Sequence, residues 1–547
     1  MNVPGATRQP LEGEHFQVVV IGGGINGVAI ARECARAGRR TLLVEQHDFA
    51  AGTTSRSTRM MHGGLRYLEH GEIGLVRESL RERQRLLRER PHLVHPVNFL
   101  LALDSRSRRS ALSIRTGLWL YRRLGGKALG ARESKSESDR LERVLDSGRR
   151  WSLFSFEDAQ CEFPERLVAE WLMEAVQAGV VARNHTQVLA VDVFHGRAKG
   201  VLLRDRLSGK EDRVEANWIV NATGPWVDRL CQRSRIDTRQ PMVGGVRGSH
   251  LVLPRFAGAP EAPVYTEATD GRPIFVIPWN DQILVGTTEV PDHGDPAKTE
   301  PSTREVEYLL RSLLHLFPGA RVSLHDIRCA FAGVRPLPYS PKTRPSEVSR
   351  KHLLHDHAGD GAAQMISVVG GKLTTAAELA RQCAVQLGLR PTASAALATA
   401  SQENLDALLD GWVAEISEAG GISASSAQAM VEWHGGRALA IAGTAASSAK
   451  MRAPLCAHTP HLVAEAVDAF TRQGAVTLAD VLLRRVPVAL GGCWSETCSR
   501  DAAMRIGTVM GWNEHQAAVE LEAFETERTA FLRKPARVEQ MLQAAAD

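Results

Sequence analysis

Apolar residues follow two rhythms along this chain. Val18-Val19-Val20-Ile21 is an unbroken aliphatic run that meets Gly22-Gly23-Gly24; helix-compatible sequence follows, and Leu42-Leu43-Val44 then closes on Glu45. That order predicts a buried strand, a glycine turn, a helix and a second strand ending in an acid. Similar short runs at 187–191, 200–203 and 218–220 predict further strands, and Met365-Ile366-Ser367-Val368-Val369 opens through Gly370-Gly371 into a helix over 376–387. Alternating runs at 250–253, 274–279 and 283–288 predict an antiparallel sheet. Helical spacing marks 73–90, a charged segment whose thin stripe of Leu75, Leu80, Leu86 and Leu87 suggests a solvated surface helix, and also 166–182 and 305–317. Leu405, Leu408, Leu409, Trp412 and Ile416 share a later helix face, and Thr477-Leu478-Ala479-Asp480 has a capping-box-like start. Residues before His15 read as a disordered lead, and 131–150 as an exposed loop.

These elements predict an α/β fold. A dinucleotide-binding domain (16–104, 151–235, 356–390) is interleaved with an α+β substrate domain (105–150, 236–355). A small-residue linker at 391–402 leads to a helical domain over 403–547, which carries no evident chemistry. Composition narrows the picture: 547 residues, 44% hydrophobic and 24% charged, describe an ordinary globular protein, and a net charge of +5 demands no nucleic acid. Eight scattered cysteines form no Cys-x-x-Cys pair and no Cys/His cluster at zinc spacing, so no metal is expected and reduced thiols in the cytoplasm are the simplest account. No apolar run is long enough to span a bilayer. The basic, aromatic stretch 111–123 around Trp119 fits either a helix in an anionic membrane interface or one packed on the surface with its arginines in water.

The opening motif carries the first chemistry. Gly22 permits a tight turn, Gly24 lets a pyrophosphate approach the backbone, and Gly27 lets helix and strand pack closely; Ile25 and Asn26 begin the helix whose N-terminus faces the phosphates. Glu45 is placed to accept from ribose hydroxyls. Thr54, Ser55 and Ser57 lie in a small-residue loop suited to phosphate donors. The strand ending Asn221-Ala222-Thr223-Gly224, ahead of Trp226, returns to the same nucleotide after a hairpin that includes Val188, which favours FAD over NAD. Gly371-Lys372-Leu373-Thr374 aims a second helix N-terminus at the flavin.

Together with Ile21-Gly22-Gly23-Gly24-Ile25-Asn26-Gly27, the segment His62-Gly63-Gly64-Leu65-Arg66-Tyr67-Leu68-Glu69 closely resembles the FAD-dependent, quinone-linked glycerol-3-phosphate dehydrogenase family. The resemblance implies a glutathione-reductase-like, D-amino-acid-oxidase-like FAD fold, with sn-glycerol 3-phosphate oxidised to dihydroxyacetone phosphate. It also implies a quinone as acceptor, a peripheral position on the inner face of the cytoplasmic membrane, and a homodimer as an oligomeric state to test. Matched residue by residue, Arg66, Tyr67, Arg335, Arg350 and Lys372 line the substrate pocket. Arg350 and Arg66 are assigned to the phosphate, whose oxygens suit a planar fork, and Arg335 and Lys372 to oxygen charge near the flavin. His250 is the first choice of proton acceptor and His62 the second, on the premise that a histidine titrates near neutrality. Phe163-Pro164-Glu165-Arg166 departs from the family's Asp-x-Arg-Leu turn, and the linker lacks its Pro-Gly-Gly. An oxygen-reducing oxidase of the same fold, acting on this or another small alcohol or amine, and a non-catalytic flavin sensor remain alternatives.

Overall fold

The computed structural model describes residues 8–534 except 106, 108, 126–134, 269, 342, 344–346 and 392–401. The expected linker at 391–402 therefore lies almost entirely outside the described residues, as do 1–7 of the lead and 131–134 of the loop.

Two sheets organise the chain. The first runs Leu353–Asp356, Met365–Val369, Glu211–Asn221, His15–Ile21, Thr41–Val44, Val181–Arg183, and the hairpin Thr186–Phe194/Arg197–Asp205 continues from Glu211–Asn221. Its central strands pair in parallel, Val18 opposite Thr41 and Trp218, and Ile219 opposite Met365. Parallel strands covered on both faces need apolar residues on both, which is why Val18 to Ile21 reads as a continuous run. Val18 and Val20 pack towards helix Ile25–Arg36, and Val19 and Ile21 pack with the hairpin on the other face.

The second sheet runs Val290–Pro291, Val243–Pro254, Gln282–Gly286, Pro273–Trp279, Val264–Glu267, His95–Asp104, Trp151–Gln160, Met60–Met61, with Cys329–Pro338 also on Val243–Pro254. It is antiparallel except where Val264–Glu267 pairs parallel to His95–Asp104. Sheet membership moves the expected domain boundaries. His95–Asp104 and Trp151–Gln160 pair with each other over ten residues in this second sheet and not in the nucleotide sheet. One is largely apolar and the other mixed, and their partners lie far away in sequence, so periodicity alone does not allocate them.

Other expectations shift too. Residues 8–14 are not a loose lead: Leu11 is buried, and Arg8 donates to the Asn184 carbonyl and side chain. Within 131–150, Lys135–Val144 is a helix, and Leu141 and Leu145 enter the core of the second sheet. Helix Ile73–Glu89 is half-buried: Ser79, Glu82 and Arg83 go inside along with the leucines. In helix Gln402–Gly420, Ile416 is buried whereas Leu408 is exposed.

The helical region is riveted to the first sheet by charge. Asp48 accepts from Arg484 and from both terminal nitrogens of Arg485, and Asp480 pairs with His185 and Arg484. Arg166, from the segment that departs from the family pattern, donates to the Trp433 carbonyl, the Gln473 side chain and the Arg485 carbonyl.

Candidate active site

The carboxyl ends of the parallel strands open on one cavity of about 690 Å³, the expected place for a ligand in an open α/β sheet. Ile21 leads to Gly22, Val44 to Glu45, Asn221 to Ala222 and Val369 to Gly370, and all of these following residues line it.

Most of the predicted cofactor residues meet here: Gly22, Gly24, Ile25, Asn26, Glu45, Thr54, Ser57, His62, Gly64, Val188, Ala222, Thr223, Gly224, Trp226, Gly371, Lys372, Leu373 and Thr374. Gly27, Ser55 and Gly63 stand behind the wall. A Cβ on Gly27 would sit 1.8 Å from the Gly22 carbonyl, so this glycine sets the approach of helix to strand. Ser55 donates to the Ala50 carbonyl at 2.6 Å, and the Gly63 N–H donates to Asp158 at 3.0 Å.

Several features fit FAD. Gly24, the N-cap of helix Ile25–Arg36, has no side chain to offer; Thr54 Oγ1 accepts from the Ile25 N–H at 3.1 Å, and the rest of the first turn is left to a ligand anion. Glu45 is held by the Gly23 and His47 N–H groups at 2.7 and 2.9 Å. Asn26 donates to the Gly370 carbonyl, while its buried Oδ1 has no protein partner among the described residues. A buried amide oxygen left so is costly unless a ligand or water meets it.

The second sheet and the loops beside it bring the cations to the same cavity. Arg335 lies opposite Val246 in the sheet register, and a Cβ on Gly248 would fall 2.4 Å from its Nη2, so the Gly248-Ser249-His250 glycine makes room for the guanidinium. Arg335 donates to Thr287 Oγ1 at 2.8 Å and to the Thr288 carbonyl at 3.3 Å. Burial, and Arg350 after it, pushes Arg335 down to about 10. Glu289, not foreseen in the sequence, lies 3.5 Å from Arg66 and 2.9 Å from Arg350. Lys372 donates to Ser79 at 2.8 Å and sits 4.7 Å over the Tyr67 ring; burial lowers it to about 8. Tyr67 is raised by burial to about 12.

His250 does not titrate near neutrality. Burial, then Arg335 and Arg59, pushes His250 down to about 3, and burial also lowers His62. Both rings are neutral at pH 7. His250 shares a 3.0 Å hydrogen bond between Nε2 and Thr58 Oγ1, and its buried Nδ1 has no partner among the described residues. It stacks on Phe331, which meets Phe531 of helix Glu514–Phe531. Phe531 lines the cavity, so the helical region does reach the site. Thr58, Ser79, Glu289 and Phe531 carry no local motif, and only Thr58, four residues before His62, lay within the singled-out loop.

A strand-end cavity with a helix start facing it, a held acid and a set of half-buried cations defines a flavin-dependent oxidoreductase. The family described as FAD dependent oxidoreductase matches residues 17–377, and the C-terminal domain of alpha-glycerophosphate oxidase matches 363–517. A glycerol-3-phosphate dehydrogenase of Synechocystis sp. is 34% identical over 498 residues, 87% of this chain and 89% of the relative. D-erythritol 1-phosphate dehydrogenase of Brucella abortus is 36% identical over 68% of this chain and 73% of its own length. The fold is shared with the FAD-complexed glycerol-3-phosphate dehydrogenase structure from Bacillus halodurans, at a TM-score of 0.76 and 22% identity over 95% of this chain and 96% of that one. The chain belongs to the FAD-dependent glycerol-3-phosphate dehydrogenase family, and FAD is its cofactor.

Proposed function

We propose that this chain oxidises sn-glycerol 3-phosphate to dihydroxyacetone phosphate and passes the electrons to a quinone. The observation that carries the reading is the convergence of Arg66, Arg335, Arg350 and Lys372 on the cavity that the cofactor motifs line. The cavity also holds carboxylates such as Glu72 and Glu289 and rings such as Tyr67 and Tyr265, so the preference for a phosphorylated substrate over an amine rests on the four cations, a set that an inert flavin binder does not need.

Bound FAD supplies the hydride acceptor, flavin N5, for the hydride at C2. Everything else falls to the chain. Arg350 and Arg66 bind the phosphate as charge-assisted forks, which gives the substrate its orientation. Arg335 and Lys372 stabilise charge on the C2 oxygen. His250, neutral and fixed through Thr58, takes the hydroxyl proton. His62 is the alternative acceptor. An anionic membrane surface as partner is supported by helix Ala111–Gly125: Ile114, Leu118 and Tyr121 are buried, while Leu112 and Trp119 are 75% and 62% exposed among exposed Arg115, Arg122 and Arg123. No described helix is long and apolar enough to cross a membrane.

A second reading, a longer phosphorylated polyol as substrate, is favoured by the Brucella relative. Both are tested by anaerobic addition to the yellow holoenzyme. Glycerol 3-phosphate should bleach the flavin more readily than D-erythritol 1-phosphate, and a quinone in anionic vesicles should restore the colour faster than oxygen. The reverse substrate order selects the second reading, faster oxygen reoxidation selects an oxidase, and bleaching by neither phosphate rejects both substrates.

A further inference from the structure

Cysteines and a histidine that are scattered in the sequence gather in the helical region, away from the flavin cavity. Cys456 and His458 lie in the turn between helices Ala449–Arg452 and Val463–Arg472, while Cys493 and Cys498 flank the start of helix Glu496–Met510. The fold closes the gap between the two pairs. Candidate ligand atoms of Cys456, His458 and Cys498 all lie within 4.8 Å of one another, and both of these cysteines are 1% exposed. His458 Nδ1 is 3.4 Å from Cys498 Sγ. Zinc bond lengths of about 2.3 Å to sulfur and about 2.05 Å to nitrogen, at a tetrahedral angle, give a ligand-to-ligand edge of about 3.6 Å. Cys493 stands at the rim with its Sγ 3.8 Å from the His458 carbonyl, and its own carbonyl lies 3.8 Å from Cys498 Sγ.

We infer that Cys456, His458 and Cys498, with Cys493 turning in as the fourth ligand, form a structural zinc site that joins the turn at 456–461 to the segment at 491–498. Two other clusters of comparable spacing carry no such reading. In Asp48, His185 and Asp480 the oxygens already accept from arginines, and in His355, His357 and Asp360 the histidines already bond the aspartate. A three-thiolate, one-imidazole set is soft and closed, which favours zinc over magnesium or calcium. Binding releases three thiol protons to solvent as three S–Zn bonds and one N–Zn bond form; no electron moves. The metal would fasten the edge of the helical region that meets the second sheet, where Gln282 donates to the Leu490 carbonyl at 3.0 Å.

The test uses full-length holoenzyme purified without chelator. Elemental analysis should find about one zinc ion per chain. Reconstitution of metal-stripped protein with Co²⁺ should give thiolate charge-transfer and tetrahedral d–d bands. Cys498→Ser should lose the metal. His458→Ala, at an exposed position, should keep its flavin yet hold the metal several-fold more weakly, a readout that survives if the cysteine variant fails to fold. Protein that neither contains zinc nor takes up Zn²⁺ or Co²⁺ when reduced overturns the proposal. So does a Cys456–Cys498 disulfide in protein that takes up no metal after reduction.

Discussion

Two groups of charge lie near the carboxyl ends of the nucleotide sheet, one at the join with the helical region and one in the cavity, and they are built differently. At the join with the helical region, Asp48 and Asp480 are matched by Arg484, Arg485 and His185, every side chain but that of His185 being at most 4% exposed. Burial alone would raise the Asp480 carboxyl, but His185 and the two arginines hold it low. In the cavity, Arg335 donates to threonine oxygens, and Glu289 lies against both Arg66 and Arg350. Burial pulls Arg335 and Lys372 down with too little opposite charge to pull them back. Matched buried charges satisfy each other and hold elements together, whereas under-compensated ones keep their capacity for an incoming anion.

If this contrast holds, damage to the two groups should be read out in different quantities. The largest effect is expected at the join. Asp48→Ala leaves two buried guanidinium groups short of their acceptor and should cost ~3–5 kcal/mol of stability in denaturant unfolding. A loss of less than ~1 kcal/mol would make the cluster no better than a surface pair. Next, Arg350→Ala should raise KM for the phosphorylated substrate by ~10- to 100-fold while FAD content and the unfolding midpoint stay put. An unchanged KM removes Arg350 from phosphate binding. The smallest effect is one of pH. Lys372 loses its proton as pH rises through about 8 in the ligand-free protein, so kcat/KM should decline above that value. Lys372→Arg should move the alkaline limb upward at a lower plateau, and a limb that stays in place assigns it to another group.

The nucleotide-binding unit was legible because its geometry is local. Gly22, Gly24 and Gly27 are spaced by the turn itself, and His15–Ile21, Ile25–Arg36 and Thr41–Val44 follow in order. Site residues embedded in short motifs, such as Arg335 beside Pro336 or Lys372 after Gly371, were found for the same reason. Sheet membership of 95–104 and 151–160 was not legible, because partners across the sheet decide it. The charged helix 73–89 hid its role since Ser79 matters only through Lys372, 293 residues away. The roles of Arg484 and Arg485 were equally hidden, since the sequence gives the pair no feature that the exposed Arg122-Arg123 lacks. The premise of a near-neutral histidine failed because motif matching carries no information about desolvation.

The order of strands in the first sheet also bears on how the protein is made. His15–Ile21 pairs with Thr41–Val44 on one edge and with Glu211–Asn221 on the other, so its second neighbour is synthesised long after the strand itself. At ~5–20 residues per second, the wait from Ile21 to Asn221 is roughly 10–40 s. For all that time one edge of an aliphatic strand is without its final neighbour, so the nascent chain, more than the finished enzyme, offers an edge for wrong pairing.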